Sequence, residues 1–191
     1  MARRGAYSKG VAKREEILTT ALEIVARDGY SKATVRELAD AVGLSQAGLL
    51  HYFGTKEVLF TAILRRRDEV DVDRALGDPG EDSLVELVEH NAEVPGLVQL
   101  YSRFASEAAE KDHPSHEFFR ERYRLSRAGL AAEVERMQAS GELPSDLDAE
   151  RIAIMMFAMI DGLQTHWMFD PELDMAQHVS YFWEVLRRAG K

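Results

Sequence analysis

The apolar residues of this chain recur at helical spacing in every periodic segment, and this pattern restricts the fold more than any other feature. In the first segment Ile17, Ala21 and Ile24 lie at i, i+4 and i+7, which places them on one face of a helix. Glycine, proline and N-capping residues separate successive segments, and no stretch alternates as a half-buried strand does. The sequence therefore predicts an all-α fold of about nine helices.

The segment from residue 35 to 52 has the features of a helix-turn-helix. Thr34 and Ser45 are good N-caps for two short helices. Helices that cross steeply need a small residue at their contact, which Ala39 provides, and the tight turn needs a residue that tolerates positive φ, which Gly43 provides. A generic helical hairpin also fits these residues, because alanine, glycine and leucine are common. The segment alone therefore leaves both interpretations open.

The charge distribution favours DNA binding over the generic hairpin. The whole chain has a formal net charge of −9. Residues 1–67 nevertheless carry 12 Lys+Arg against 7 Asp+Glu, whereas residues 68–191 carry 12 against 26. The first fourteen residues contain five basic side chains and no acidic one. This asymmetry indicates a basic end that faces phosphates, attached to an acidic body.

The stretch from about Val11 to Leu59 resembles the DNA-binding domain of TetR-family transcriptional repressors. The resemblance rests on residues 29–60, GYSKATVRELADAVGLSQAGLLHYFGTKEVLF, with their Gly-Tyr helix end, small residue, turn glycine and closing Tyr-Phe. It implies a helix-turn-helix domain with a basic N-terminal arm at 1–55 and a helical effector-binding and dimerisation domain at 56–191. Helix four, at about 56–72, would link them. It also implies a homodimeric repressor that a small ligand releases from an inverted-repeat DNA operator.

The same resemblance implies that the third helix enters the major groove. Glutamine can bond bidentately to adenine and a small alanine can meet a thymine methyl, which suits the first two residues of that helix to reading bases. Relatives often have tyrosine where this chain has Leu50, so that contact becomes apolar or is lost. Tyr52 and Lys56 would contact phosphates. As alternatives, Tyr52 can pack against the second helix, and Lys56 can be a surface charge without a DNA contact. The implied DNA contacts are Thr34, Arg36, Gln46, Ala47, Leu50, His51, Tyr52 and Lys56.

The last two long helices are predicted at about residues 149–169 and 175–189. The resemblance implies that they form a four-helix bundle with the same helices of a second subunit. The final helix carries an apolar stripe that fits a partner helix, and a glycine on the preceding helix would permit close approach. A monomer core that uses the same stripe is the alternative. The predicted interface residues are Gly162, Met175, Val179, Phe182, Trp183 and Leu186.

The resemblance further implies an internal ligand cavity among helices four to eight. Methionine and aromatic residues in these helices give a soft lining that suits a small, mostly apolar effector. Each of these residues can instead be ordinary core. The candidate lining residues are His90, Tyr101, Phe104, Phe119, Arg122, Tyr123, Met155, Met156, Met159 and Gln164.

The sequence contains no recognisable catalytic or metal-binding motif. Cysteine is absent, the six histidines lack H-E-x-x-H spacing, and no G-x-S-x-G, Walker or G-x-G-x-x-G motif occurs. We therefore expect no catalytic residues, no metal and no cofactor; a ligand-binding helical protein or enzyme without DNA binding is the alternative function. The longest apolar run, residues 152–160, is far shorter than the ~20 residues that span a bilayer. No apolar stretch follows the basic start, so we expect a cytoplasmic protein without a membrane partner.

Overall fold

The computed structural model describes residues 2–75 and 81–189, with side chains for residues 9–71 and 84–189. Within these ranges the chain forms nine α-helices and no strand, which confirms the predicted all-α class. The helices are α1 (Ala2–Asp28), α2 (Val35–Ala41), α3 (Gln46–Phe53), α4 (Lys56–Ala75), α5 (Glu81–Glu93), α6 (Pro95–Glu107), α7 (His116–Ser140), α8 (Ala149–Trp167) and α9 (Met175–Arg188). The basic start of the chain, expected as an arm, forms the first turns of α1.

Side-chain caps set the boundaries of the two short helices. The Thr34 hydroxyl oxygen accepts the Glu37 backbone N–H at 3.2 Å, and the Glu37 carboxylate accepts the Thr34 backbone N–H at 3.0 Å. This reciprocal pair is a capping box, and it satisfies two amides that the first turn of α2 leaves unbonded. Ser45 caps α3 by accepting the Gly48 N–H at 3.0 Å. Between the two helices Gly43 turns the chain at φ +68°, in the left-handed region that glycine tolerates.

The chain divides into two compact units. The first comprises Met1–Asp73 and Val94–Ser115 and so contains α1 to α3, most of α4, and α6. The second comprises Arg74–Glu93 and His116–Lys191 and contains α5 and α7 to α9. The domain boundary predicted between residues 55 and 56 falls inside the first unit, at the α3–α4 junction. The predicted boundary separates a DNA-binding role from an effector-binding and dimerisation role, whereas the two units are defined by packing. The assignment of residues 56–191 to effector binding and dimerisation stays a prediction.

The first unit has a continuous apolar core beneath α2 and α3. Ile17 of α1, Leu38 of α2 and Leu49 of α3 are completely or almost completely buried. Near the end of α1 an aromatic cluster extends this core, with the Phe60 ring centroid 5.6 Å from that of Tyr30 and 5.5 Å from that of Phe104. These contacts join α4 and α6 to each other and to Tyr30, which follows α1.

Helices α1 and α6 approach each other closely at Gly96. A Cβ atom added there would lie 1.9 Å from the carbonyl oxygen of Val25 and 2.7 Å from the Cα of Gly29. Both atoms belong to the backbone, so neither can rotate away. A side chain at this position is therefore incompatible with the observed packing of the two helices.

The second unit packs α7 against α8, and α9 against both α5 and α8. One face of α9 is buried along its whole length, and α8 buries Ile152, Met156 and Ile160. Between α7 and α8 the Tyr123 hydroxyl donates a hydrogen bond of 2.8 Å to Oδ2 of Asp161. This unit is therefore a helical bundle in which Tyr123 and Asp161 form a polar link between α7 and α8.

Candidate nucleic-acid interface

Helix α3 is anchored on one face and exposed on the other. Leu49 and Phe53 are buried in the first unit, whereas Gln46, Ala47 and His51 are exposed. The exposed residues include the first two positions of the helix. Recognition helices of helix-turn-helix proteins contact base edges with their N-terminal residues, so this exposure pattern is the one that major-groove entry requires.

The start of α2, where a phosphate contact is predicted for Thr34, holds a carboxylate. The Thr34 hydroxyl donates to Oε2 of Glu37 at 2.9 Å, in addition to accepting the Glu37 N–H. The hydrogen bond from the Thr34 backbone N–H, followed by the one from its hydroxyl, holds the pKa of the Glu37 carboxyl below its usual value. At neutral pH the threonine hydroxyl is thus engaged within the helix cap, and an incoming phosphate would meet a negative charge.

The other predicted DNA contacts are exposed or half-buried, and the side-chain contacts described for them are weak. Arg36 Nε lies 3.9 Å from Oδ2 of Asp40, and both side chains are largely exposed, so the pair restrains the arginine little. Lys56 is exposed and its Nζ lies 5.7 Å from the centroid of the Phe60 ring. Tyr52 and Leu50 are half-buried, and the Tyr52 ring meets His51 edge-on at 6.1 Å. Arg36 and Lys56 can therefore reorient toward a phosphate at little cost.

Two basic residues near the start of the chain are bonded to helix ends. Lys13 Nζ donates to the carbonyl oxygen of Val42, the C-cap of α2, at 2.9 Å. The Arg14 guanidinium donates to the carbonyl oxygen of Tyr52 at 2.7 Å and lies 4.3 Å from the centroid of the Phe53 ring. C-terminal carbonyls carry partial negative charge, so cations stabilise these ends. The charge count assigned both residues to a phosphate-facing end and could not detect this role, because the partners are 29 and 38 residues away.

Four of the six residues predicted for the dimer interface are buried within the protomer. Met175, Val179, Trp183 and Leu186 are between 0% and 7% exposed, on a helix that packs against α5 and α8. This burial favours the alternative, in which the apolar stripe of α9 contributes to the core of the second unit, and the contact of these residues with a partner helix stays a prediction. The other two residues, Gly162 and Phe182, are half-buried.

A different apolar face of α8 and α9 is exposed. It contains Ile154 and Met155 on α8, and Tyr181 and Val185 on α9, with exposed fractions of 41% to 60%. Ala158 and Gly162 follow Ile154 at four-residue intervals, so small residues continue the same face of α8. We refer to these residues, Ile154, Met155, Ala158, Gly162, Tyr181 and Val185, as the α8–α9 outer face. The sequence shows two apolar faces on α9 but does not reveal which one is covered.

Comparison with known proteins identifies the family. Residues 17–63 match the family described as "Bacterial regulatory proteins, tetR family". Residues 82–187, more than half of the chain, match "BetI-type transcriptional repressor, C-terminal". The chain belongs to the TetR family. It is a DNA-binding transcriptional regulator and not an enzyme. Membership favours this function over the alternative of a helical enzyme or ligand carrier that does not bind DNA.

Several named relatives are similar to this TetR-family regulator. It is 40% identical to the transcriptional repressor AcnR of Corynebacterium efficiens over 87 residues, which are 46% of this chain and only 44% of that protein. It is 32% identical to the regulator BetI of Rhizobium meliloti over 160 residues, 79% of this chain and 75% of that protein. A transcriptional regulator from Saccharomonospora viridis, solved in complex with choline, superposes with a TM-score of 0.69 at 26% identity, covering 90% of this chain and 95% of that one.

The residues predicted to line a ligand cavity are distributed over both units of the TetR-family regulator. Tyr101 and Phe104 are buried in the first unit, and Phe104 belongs to its aromatic cluster. The other eight lie in the second unit, where Phe119, Met156 and Gln164 are buried and Met155 is 51% exposed. The half-buried ones are His90, Arg122, Tyr123 and Met159. Their role in ligand binding stays a prediction.

Two further properties of the described residues bear on function. Among them, no three His, Asp or Glu side chains are grouped so that they could hold a metal ion. None of the described helices combines the length and the apolar character that crossing a membrane requires.

Proposed function

We propose that this TetR-family regulator is a homodimeric repressor that binds an inverted-repeat operator and is released from it by a small molecule. The observation that carries the proposal is the exposed N-terminal end of α3, where Gln46 and Ala47 stand on a helix anchored by two buried residues. A two-fold dimer presents two such helices to one side of the duplex. The operator half-sites should therefore lie about 34–36 Å apart, or a multiple of that distance.

Selection from a pool of random duplexes by the wild-type protein tests the proposal and supplies the operator. Binding of single-base operator variants is then compared for wild type and Gln46→Ala. Because glutamine reads adenine through two hydrogen bonds, we expect the variant to lose preference at one position, at a cost of about 1–3 kcal/mol for the favoured sequence. Gln177→Ala, which removes an exposed glutamine from α9, is the matched control. If Gln46→Ala ranks the operator variants as wild type does, α3 does not read bases through this residue.

The α8–α9 outer face is the proposed dimer interface. It is apolar and exposed on two neighbouring helices, as a four-helix bundle between two subunits requires. Ala158 and Gly162 present no bulky side chain, so a partner helix can approach α8 closely along this line. Family membership adds support, because TetR-family regulators are dimers.

Charged substitutions on the outer face test this interface. Val185→Asp places a carboxylate in the proposed apolar contact, so sedimentation should show monomers and operator binding should be lost. Leu125→Asp introduces the same charge at another exposed apolar residue, on α7, and should leave the dimer intact. A Val185→Asp protein that sediments as wild type would exclude this face as the interface.

The effector is proposed to bind in the second unit and to be small and mostly apolar. Buried Phe119 and Met156 support an apolar contact surface, and the buried Oε1 of Gln164 has no hydrogen-bond partner among the described residues. An unbonded amide oxygen can accept a hydrogen bond from a ligand donor. The choline complex of the Saccharomonospora relative adds small quaternary ammonium compounds to the classes worth screening.

Thermal-shift screening followed by operator titration identifies a true effector. A coupling of about 1–3 kcal/mol would weaken operator binding about 5–150-fold. By reciprocity, saturating operator DNA must weaken binding of the same compound by the same factor. A compound that stabilises the protein but leaves operator affinity unchanged only occupies the site, because equal affinity for both states shifts no equilibrium.

A further inference from the structure

Lys13 and Arg14, the last two basic residues of the N-terminal basic segment, contact different helices of the helix-turn-helix. Lys13 donates a hydrogen bond to the carbonyl oxygen of Val42, the C-cap residue of α2. Its neighbour Arg14 donates one to the carbonyl oxygen of Tyr52, in the last turn of α3. Both side chains are half-buried, and Lys13 also pairs with Glu16 at 2.7 Å. One dipeptide of α1 thus contacts the C-terminal ends of both short helices.

The contacts of Arg14 fix two adjacent residues of α3 at once. Its guanidinium donates to the Tyr52 carbonyl, and the guanidinium carbon Cζ lies 4.3 Å from the centroid of the Phe53 ring. Helix α3 has only eight residues, too few to be stable by itself, so its orientation depends on what holds it. The buried side chains of Leu49 and Phe53 hold its core face. A tether at the C-terminal end additionally restrains the direction in which the N-terminal Gln46 points.

We propose that Lys13 and Arg14 are positioning residues for DNA recognition: they hold the ends of α2 and α3 in the reading geometry and do not themselves neutralise phosphates. The proposal rests on the proposed function in so far as α3 is the helix that reads bases. A positioning residue and a phosphate contact make opposite predictions for the salt dependence of binding. Each phosphate contact that is lost lowers the slope of log K against log[salt] by about one, whereas a tilted helix leaves the number of released ions unchanged.

Arg14→Met is the main variant, because methionine keeps an unbranched side chain and removes the guanidinium with its donors. The probes are the duplex selected by the wild-type protein and a scrambled duplex of equal length. We expect operator binding to fall about tenfold, the strength of one lost hydrogen bond from a charged donor. Binding of the scrambled duplex should change little, and the salt slope should stay at the wild-type value. Amide hydrogen exchange in the last turn of α3 should be faster than in wild type.

Lys9→Met is the matched control, since it removes an equal charge from an exposed position of the same helix. Whatever it does to affinity, it should preserve the ratio of operator to scrambled binding. If Lys9→Met lowered the ratio of operator affinity to scrambled-duplex affinity as much as Arg14→Met does, the proposal would be overturned. The loss of a positive charge would then explain both results. Equal weakening of both duplexes by Arg14→Met with a lower salt slope would also overturn it, and so would unchanged binding.

Arg14→Lys keeps the test decisive if the methionine variant does not fold. The ammonium retains the charge but not the planar guanidinium that reaches carbonyl and ring together. We expect Arg14→Lys to lose less operator affinity than Arg14→Met and to keep the wild-type salt slope. Full operator affinity in the lysine variant would contradict the proposed tether. If the wild-type protein itself selects no sequence from the random pool, the proposed function fails, and that outcome is distinguishable from failure of the tether.

Discussion

Replacing Gly96 with alanine should destabilise the first unit, because α6 meets α1 there without room for a methyl group. The added Cβ would lie 1.9 Å from the Val25 carbonyl oxygen. Ordinary van der Waals contact begins at 3.4 Å, so α6 would have to move away from α1 by about 1.5 Å at this point. The aromatic cluster that includes Phe104 of α6 would be displaced with it.

The size of the effect follows from two opposing contributions. Overpacking a well-packed contact costs about 1–3 kcal/mol, and the upper value applies here because both clashing atoms belong to the backbone. Alanine is favoured over glycine in a helix by roughly 0.5–1 kcal/mol, which offsets part of this cost. The net loss is therefore about 2 kcal/mol, which for a chain of this size lowers the melting temperature by about 4–8 °C.

Thermal unfolding followed by circular dichroism measures this loss directly. Gly129→Ala is the control, since a Cβ at that position of α7 has no atom within 4 Å and should only add helix propensity. We expect the two alanine variants to shift the melting temperature in opposite directions. A Gly96→Ala protein as stable as wild type would refute the close approach of α1 and α6.

Three further predictions concern the helix-turn-helix. Thr34→Ala removes the hydroxyl half of the capping box and should lower the free energy of unfolding by about 1 kcal/mol in urea titrations, with Ser31→Ala, outside the cap, as the control. The pKa of Glu37 is lower in the folded state, so its carboxylate stabilises the fold above the unfolded pKa, and that stability is lost as pH falls through the folded pKa. Glu37→Gln should therefore be less stable than wild type at neutral pH and equally stable in acid, and a difference that persists in acid would contradict this. Lys56→Ala should weaken operator and scrambled duplexes alike and lower the salt slope by about one, whereas a selective loss on the operator would argue against a phosphate contact.

The helix boundaries could be predicted because their causes are local in sequence. Thr34, Ser45 and Gly43 act through partners within five residues, so the two short helices and their turn are legible in the sequence. Helix α6 starts at Pro95, where proline suits a first helical position. The N-terminal extent of α1 was missed, because the apolar pattern begins only at Ile17 and the preceding turns are polar.

The candidate interfaces could be predicted only in part, because amphipathic patterns do not say which surface covers them. Helix α9 carries one apolar face through Val179 and Trp183 and another through Tyr181 and Val185. The buried face lies against helices of the same protomer, and only tertiary packing distinguishes the two. The role of Arg14 is equally invisible in sequence, because a guanidinium beside a distant carbonyl looks like any other charge.

The composition of the first unit has a consequence for dissecting this protein into pieces. The polypeptide passes between the units three times, at residues 73–74, 93–94 and 115–116. No single cut therefore releases the helix-turn-helix together with all the helices that pack on it. A fragment that stops after α4 would lack α6, and it would expose the surface of α1 around Val25 and the ring of Phe60 to water. The unit that contains the helix-turn-helix therefore includes a later part of the sequence, residues 94–115. It is a discontinuous folding unit and cannot be detached as one continuous segment.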